Sequence, residues 1–336
     1  MTSLRFGRWS LRSRVGTWHA SLSTLLTMNE TAASESNMML CCASCGACFA
    51  GGDDIKLMDC GGCDLVRYCS DACQEDHRLE HEEECKKRAA ELHEEILFKQ
   101  PESRHYGDCP ICSLPLPIDP KKSVLMSCCS KSICVGCCYA YKKREFEGRR
   151  QPKCPFCRTA LPDTQEEWDG RLMKRIEAND PVAMSQMGTR RYEVGDNENA
   201  FDYWTRAASL SDVEAHYQVS VVYRIGHGVD KDMKRSLHHT EKAAIGGHPD
   251  ARHSLGCLEA ENGRMDRAVK HWIIAAKLGS DLSLENVKNA YRDGYISKED
   301  FAAALRGHHA AIKATESDQR EEAAEFLAEC GRRGIC

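Results

Sequence analysis

Twenty-one cysteines in 336 residues, rather than any catalytic motif, set the chemistry open to this chain. Eighteen of them lie between Cys41 and Cys157; only Cys257, Cys330 and Cys336 lie outside. Many stand in pairs two residues apart. Such a pair is poorly placed to close a disulfide, but on a tight turn it aims two thiolates at one tetrahedral ion, so the pattern points to zinc. The long remainder, almost free of cysteine, fits a reducing compartment.

The first cluster runs Cys45-x2-Cys48, Cys60-x2-Cys63, Cys69-x3-Cys73 and His81-x3-Cys85. Four pairs are enough for two zinc ions. The last two pairs are at i,i+4, which puts both donors on one helical face. The first two suit turns, with Gly46, Gly61 and Gly62 in or beside them. His77 competes with His81, but only His81 keeps the i,i+4 relation to Cys85. Cys41 and Cys42 are spare, and Cys42-x2-Cys45 is an alternative first pair. The segment Cys60-Gly-Gly-Cys-Asp-Leu-Val-Arg-Tyr-Cys-Ser-Asp-Ala-Cys-Gln, continued to His81 and Cys85, resembles a MYND finger. That resemblance implies interleaved sites, Cys45, Cys48, Cys69 and Cys73 on one zinc and Cys60, Cys63, His81 and Cys85 on the other. It also implies binding of short proline-containing peptides beside Gln74, although Arg78 stands where the family commonly has tryptophan.

The second cluster runs Cys109-Pro-Ile-Cys112, Cys128-Cys129, Cys134-x2-Cys137 and Cys154-Pro-Phe-Cys157, with a short helix expected over 139–147. Its long-short-long rhythm resembles a RING finger. The position where that family often has histidine holds Lys131, whose ammonium cannot ligate zinc. Cys128 can supply the missing thiolate, with Cys138 as the fallback. The resemblance then implies Cys109, Cys112, Cys134 and Cys137 on one zinc, and Cys128, Cys129, Cys154 and Cys157 on the other. It further implies docking of a ubiquitin-conjugating enzyme, with Ile111, Tyr139 or Tyr141, Pro155 and Arg158 as the contact candidates. Such catalysis acts by positioning, without a covalent residue.

These clusters need elements to hold them. Residues 1–40 are expected to be a disordered basic leader. Residues 41–85 form the first module, 86–106 a helical linker closed by Pro101, and 107–161 the second module. Thr164 and Glu167 have capping-box spacing ahead of Trp168, Leu172 and Ile176, and helices are expected from there to about residue 328, with a tail over 329–336. The helical part repeats. Ala183, Ala215 and Ala251 are 32 and then 36 residues apart, and the pairs Ala207–Ala208, Ala243–Ala244 and Ala275–Ala276 are 36 and then 32 apart. The four-residue difference falls in Gly226-His-Gly-Val, a loop insertion that spares the packing. Residues 178–280 resemble Sel-one-like repeats, relatives of the tetratricopeptide repeat, which implies an α-solenoid with a protein-binding face. The expected fold class is therefore mainly α: two small cross-braced zinc modules followed by an α-solenoid of helix-turn-helix repeats. Because solenoid stability is local, loss of a zinc module is expected to leave the repeats folded.

Composition narrows the function classes. The chain is 42% hydrophobic and 29% charged with a net charge of −5, which gives no general drive toward nucleic acid or anionic membrane. No apolar run is long enough to span a bilayer. The basic stretch Lys142-Lys143-Arg144, with Arg149 and Arg150, is interleaved with Glu145 and Glu147 and lacks stacking aromatics, which argues against nucleic acid. With about four zinc ions, each held by four protein ligands, the metal reads as structural. The expected function is a RING-type ubiquitin ligase whose repeats and MYND finger bind substrate or partner proteins. The alternative is a non-enzymatic adaptor. The expected location is the cytoplasm or nucleus, or the mitochondrion if residues 1–29, arginine-rich and without acids, act as a transit peptide; translation from Met28 is the other reading of that segment.

Overall fold

The computed structural model describes residues 40–49 and 57–333; the expected leader, with its Met28 start, lies outside them. The chain divides between Glu82 and Glu83 into two compact units. In the first, β1 (Leu40–Cys41) pairs antiparallel with β2 (Cys48–Phe49), and β3 (Met58–Asp59) with β4 (Arg67–Tyr68). Helix α1 (Asp71–Phe98) follows and continues into the second unit.

The second unit opens with the second cysteine-rich module. A 3-10 turn over Pro120–Lys122 leads into β5 (Ser123–Met126), which pairs antiparallel with β6 (Lys131–Cys134), and α2 (Val135–Glu147) follows directly. The repeat helices are α3 (Gln165–Glu177), α4 (Pro181–Glu193), α5 (Asn197–Ser209), α6 (Val213–Ile225), α7 (Met233–Ile245), α8 (Pro249–Glu261), α9 (Met265–Lys277) and α10 (Asp281–Arg292). Two longer helices, α11 (Lys298–Lys313) and α12 (Asp318–Arg333), end the described chain.

Capping explains the starts. Thr164 accepts from the Glu167 amide at 3.2 Å, as the capping-box spacing predicts. Asp180, Asp212, His248 and Ser280 cap α4, α6, α8 and α10 through side-chain acceptors, at the same 32- and 36-residue intervals as the buried small residues Ala183, Ala215, Ala251 and Ser283. Asp196 and Asp232 cap α5 and α7. The extra residues of the middle unit fall between α6 and α7, where Gly226 (φ 79°) ends α6 in a left-handed cap.

Close packing inside the repeats rests on a pairing that the alanine pattern did not reveal. A Cβ on Gly188 would lie 2.6 Å from the Trp204 ring, and a Cβ on Gly256 would lie 2.4 Å from Trp272. Each indole thus occupies the space a side chain would need, and Trp204 Nε1 donates to the Ser185 carbonyl at 3.1 Å. In the middle unit the equivalent positions are Ser220 and Thr240, and the gap is bridged instead by Ser236 Oγ donating to the Ser220 carbonyl at 2.8 Å.

The segment between the two cysteine modules is seated in the repeats. Leu97 packs in a cluster with Ala243, Ala244, Ala251 and Leu255, and Phe98 packs against it. Arg252, fully buried, donates to the carbonyls of Leu97 and Ala244. A Cβ on Gly247 would lie 2.6 Å from the Ser103 carbonyl oxygen, so backbone meets backbone there. Buried Arg104 donates to the Leu116 carbonyl at 3.1 Å and to Ala311 at 2.7 Å, joining the second module to α11. The linker thus joins the second module to the repeats, while each keeps a hydrophobic cluster of its own.

His271 and His105 each keep a buried ring nitrogen without a hydrogen-bond partner, and His239 is partly buried against His216. Burial, then neighbouring Arg252 and Arg267, lowers His271 to about 3; burial, then His216, lowers His239 to about 4; burial also lowers His105. The folded chain keeps these rings neutral, whereas the unfolded chain binds protons below about 6.5. Stability is therefore full above that value and falls as the pH is lowered. Chemical denaturation should show a lower midpoint at pH 5 than at pH 7, and His271→Gln should flatten that slope by up to about 1.4 kcal/mol per pH unit. A midpoint unchanged between the two pH values would contradict this.

Candidate metal centres

Three of the turns that bear ligands have the same backbone. After Cys42-x2-Cys45, Gly46 is left-handed (φ 70°) and its amide donates to the Cys42 carbonyl at 3.0 Å. After Cys109-x2-Cys112, Ser113 (φ 56°) donates to Cys109 at 2.8 Å. After Cys154-x2-Cys157, Arg158 (φ 59°) donates to Cys154 at 3.0 Å. This reversal folds the second cysteine back toward the first and leaves both sulfurs on one side. The remaining donors come from helices and their starts. Cys73, His81 and Cys85 ride on α1, Cys134 caps α2 and Cys137 lies in its first turn.

Four groups of donors converge, the atoms of each lying within 4.8 Å of one another: Cys42, Cys45, Cys69 and Cys73; Cys60, Cys63, His81 and Cys85; Cys109, Cys112, Cys134 and Cys137; Cys128, Cys129, Cys154 and Cys157. Tetrahedral zinc with sulfur at about 2.3 Å requires sulfurs about 3.8 Å apart. The Sγ atoms are 3.7 Å apart for Cys45–Cys69, 3.5 Å for Cys69–Cys73, 3.9 Å for Cys112–Cys134 and 3.7 Å for Cys129–Cys154. The Cys128–Cys157 pair is tighter at 3.2 Å, and Cys63 Sγ lies 3.1 Å from His81 Nε2. Thiolate and imidazole donors in closed sets of four fit zinc. In both modules the groups interleave along the chain, so each ion braces two separated stretches.

Among the described residues the first group holds Cys42, the alternative first ligand of the Cys42-x2-Cys45 pair. The reversal after Gly46 makes Cys42 and Cys45 the turn pair, whereas Cys48 has passed the turn and stands in β2 opposite Cys41; its side chain lies outside the described residues. Cys41 is disulfide-bonded and takes no part in the group. The glycine directly after Cys45, at the position held by Ser113 and Arg158 in the other turns, is the sequence signal of the Cys42-x2-Cys45 turn.

The competing donors have other partners. His77 Nδ1 lies 3.1 Å from the Tyr68 hydroxyl, and its ring stacks on His81. Lys131 lies 4.7 Å from the Phe156 ring centroid, a cation–π contact. Cys138 packs in the module's core with Leu116 and Ile133. Of the surface candidates, Ile111 (44% exposed), Pro155 and Arg158 line one open groove with Tyr141. Tyr139 leaves that wall: its ring packs 4.9 Å from Phe326 of α12. In the basic stretch Lys143 pairs with Glu322 at 2.7 Å and Arg150 with Glu145 at 2.9 Å.

A fifth cluster, His105, Glu214 and His248, has the donor types of a metal site but works as a clamp. His248 Nδ1 accepts from the amides of Asp250 and Ala251, capping α8, so its proton is on Nε2 and is donated to Glu214 Oε2 at 3.2 Å. The Tyr106 hydroxyl donates to the same oxygen at 2.9 Å, and His105 Nε2 lies 3.2 Å from it. Burial alone would push the Glu214 carboxyl up; the hydrogen bonds from His105 and His248 outweigh it and hold the group well below the ordinary carboxylate range. The charged carboxylate thus ties residues 105–106 to α6 and α8.

Comparison with known proteins bears on the first module and the repeats. Residues 42–85 match the MYND finger model, and residues 181–212, 213–248 and 252–280 match the Sel1 repeat model. The chain carries a MYND finger and three Sel1 repeats. A curated relative, chitin synthase regulatory factor 2 of Schizosaccharomyces pombe, is 31% identical over 71 residues; the match covers 21% of this chain and 14% of that protein's length. Among solved structures, a Sel1 repeat protein from Oxalobacter formigenes is 24% identical over 52% of this chain and 74% of its own, with a TM-score of 0.40. A protective antigen of uropathogenic Escherichia coli with an SLR fold is 24% identical over 49% of this chain and 36% of its own, at 0.36. Among the described residues, no helix is long and apolar enough to cross a membrane.

The four groups carry a direct expectation. Metal analysis of reduced, freshly purified protein should find about four zinc ions per chain. Cys42→Ser should lower this to about three, whereas Cys48→Ser should leave it unchanged. The opposite pattern would restore Cys48 as the ligand.

Proposed function

We propose that this chain is a zinc-organised adaptor that binds other proteins through its MYND finger, its Sel1 repeats and the exposed groove of its second cysteine module. The observation that carries this reading is the closure of all four donor groups. Each offers four protein ligands, so none keeps a position for water or substrate, and the metal serves to hold shape. The curated relative is named as a regulatory factor, which is in keeping with a binding role.

One observation favours a second reading. Ile111, Pro155 and Arg158, the residues that a RING finger would use toward a ubiquitin-conjugating enzyme, share one groove on a module with interleaved donor groups. If residues 107–161 are a RING finger, the chain acts as a ligase by positioning a thioester rather than by chemistry of its own. Lys131 in the usual histidine position and the removal of Tyr139 from the groove both weigh toward the adaptor.

Autoubiquitination of the zinc-loaded protein across a broad panel of conjugating enzymes separates the two. The adaptor reading expects no conjugates above the enzyme-free background. Robust conjugates that disappear with Ile111→Ala, at unchanged zinc content, would replace it with the ligase reading.

A further inference from the structure

The C-terminal helix makes contacts that neither a finger nor a repeat array requires. Helix α12 packs along α2: Ala323 is fully buried, Tyr139 meets Phe326 and Lys143 pairs with Glu322. At the end nearest the ligands the two backbones touch. A Cβ on Gly136 would lie 2.8 Å from the Arg320 amide nitrogen and 2.9 Å from its Cα. Only glycine permits that approach, and it lies between Cys134 and Cys137, two donors of one group.

From there Arg320 reaches over the turn that bears the other two donors. Its Nη1 donates to the Pro115 carbonyl at 2.9 Å and to Thr315 at 2.8 Å. Its Nη2 donates to the Leu114 carbonyl at 3.3 Å and to Cys112 Sγ at 3.6 Å. The neighbouring Gln319 amide lies 3.9 Å from Cys137 Sγ, where Oε1 accepts from a thiol and the amide N–H would donate to a thiolate. A zinc ion with four thiolates carries two net negative charges, so a guanidinium hydrogen-bonded to one sulfur offsets part of that charge while it fixes the turn. Among the described residues, no comparable contact from α12 reaches Cys128, Cys129, Cys154 or Cys157.

We propose that α12 is a clasp on one metal centre only, with Arg320 as the positioning residue of the Cys109, Cys112, Cys134 and Cys137 site. The second module's two centres then differ in kind: both take their four donors from within the module, but one is also braced by a helix whose Arg320 lies 205 residues beyond Pro115. Gln319 also lines the groove with Ile111 and Pro155, so the clasp and the exposed groove share an edge.

Zinc release from the full-length protein to a chromogenic chelator, with alkylation mapping of the freed cysteines, tests this. Arg320→Ala should release one zinc equivalent about 10- to 100-fold faster, the usual scale for an outer-shell partner, while the other three leave at the parent rate. Cys109, Cys112, Cys134 and Cys137 should be alkylated first. Arg320→Lys, which keeps the charge and loses the fork, should fall between. Gly136→Ala, which pushes α12 away without touching the guanidinium, should single out the same four cysteines. In the cobalt-substituted protein, Arg320→Ala should shift the thiolate charge-transfer bands of one site in four. Parent-rate release in both Arg320→Ala and Gly136→Ala would overturn the proposal. So would equal acceleration at both centres of the module, whether by a shared effect or by unfolding, since α12 would then be a general folding element.

Discussion

Four donors from two separate stretches of chain must meet within a few ångströms of one point, and most of what is distinctive here follows from that requirement. The backbone meets it in part by reversing after three of the Cys-x2-Cys pairs, with the next residue in the left-handed region. Gly46 adopts this freely, but Ser113 and Arg158 do so against the preference of an L-residue, at a cost on the order of 1 kcal/mol or more each. Metal binding offsets such strain, because in small modules it supplies the folding free energy. The second module shows how fully: of the eight residues buried in its core, five are cysteines and only Leu116, Met126 and Ile133 are ordinary apolar side chains.

The repeats use a different economy. Their helices approach closely because small residues recur at the contact points, and α4, α6, α8 and α10 each begin at a polar cap at the repeat interval. Two units seat an indole over a glycine, and the unit between them substitutes a hydroxyl-to-carbonyl bond across the same gap. Equivalent positions thus keep the helix spacing through unlike chemistry, which is why the alanines alone carried the period and the glycine–tryptophan pairs did not.

Between these parts lies a junction made largely of buried polar groups. Arg252 satisfies two carbonyls, Arg104 two more, and Glu214 gathers donors from His105, Tyr106 and His248. Removing any one partner would leave another buried and unpaired, so the network resists piecemeal change. It ties the second module to the repeats through residues 104–106, a contact between remote segments that a solenoid argument based on nearest neighbours does not cover. The Arg320 contacts close the same circuit from the far end of the chain.

The ligand pairs, their zinc chemistry and the repeating helices were legible in the sequence because each depends on short, fixed spacings: two residues for a turn, four for a helical face, thirty-odd for a repeat. His81 over His77 followed from the same local rule. The tertiary structure alone decided what depends on residues remote in sequence or on a backbone angle. It gathered Cys42 with Cys45, Cys69 and Cys73 beside the left-handed turn at Gly46, turned Tyr139 toward Phe326 and out of the groove, and placed Lys131 on Phe156. It also revealed that His248, Glu214 and Arg320 act on segments more than a hundred residues away. Spacing along a chain reports what neighbours can share; which distant group fills a gap is fixed only when the packed elements leave that gap a shape and a charge.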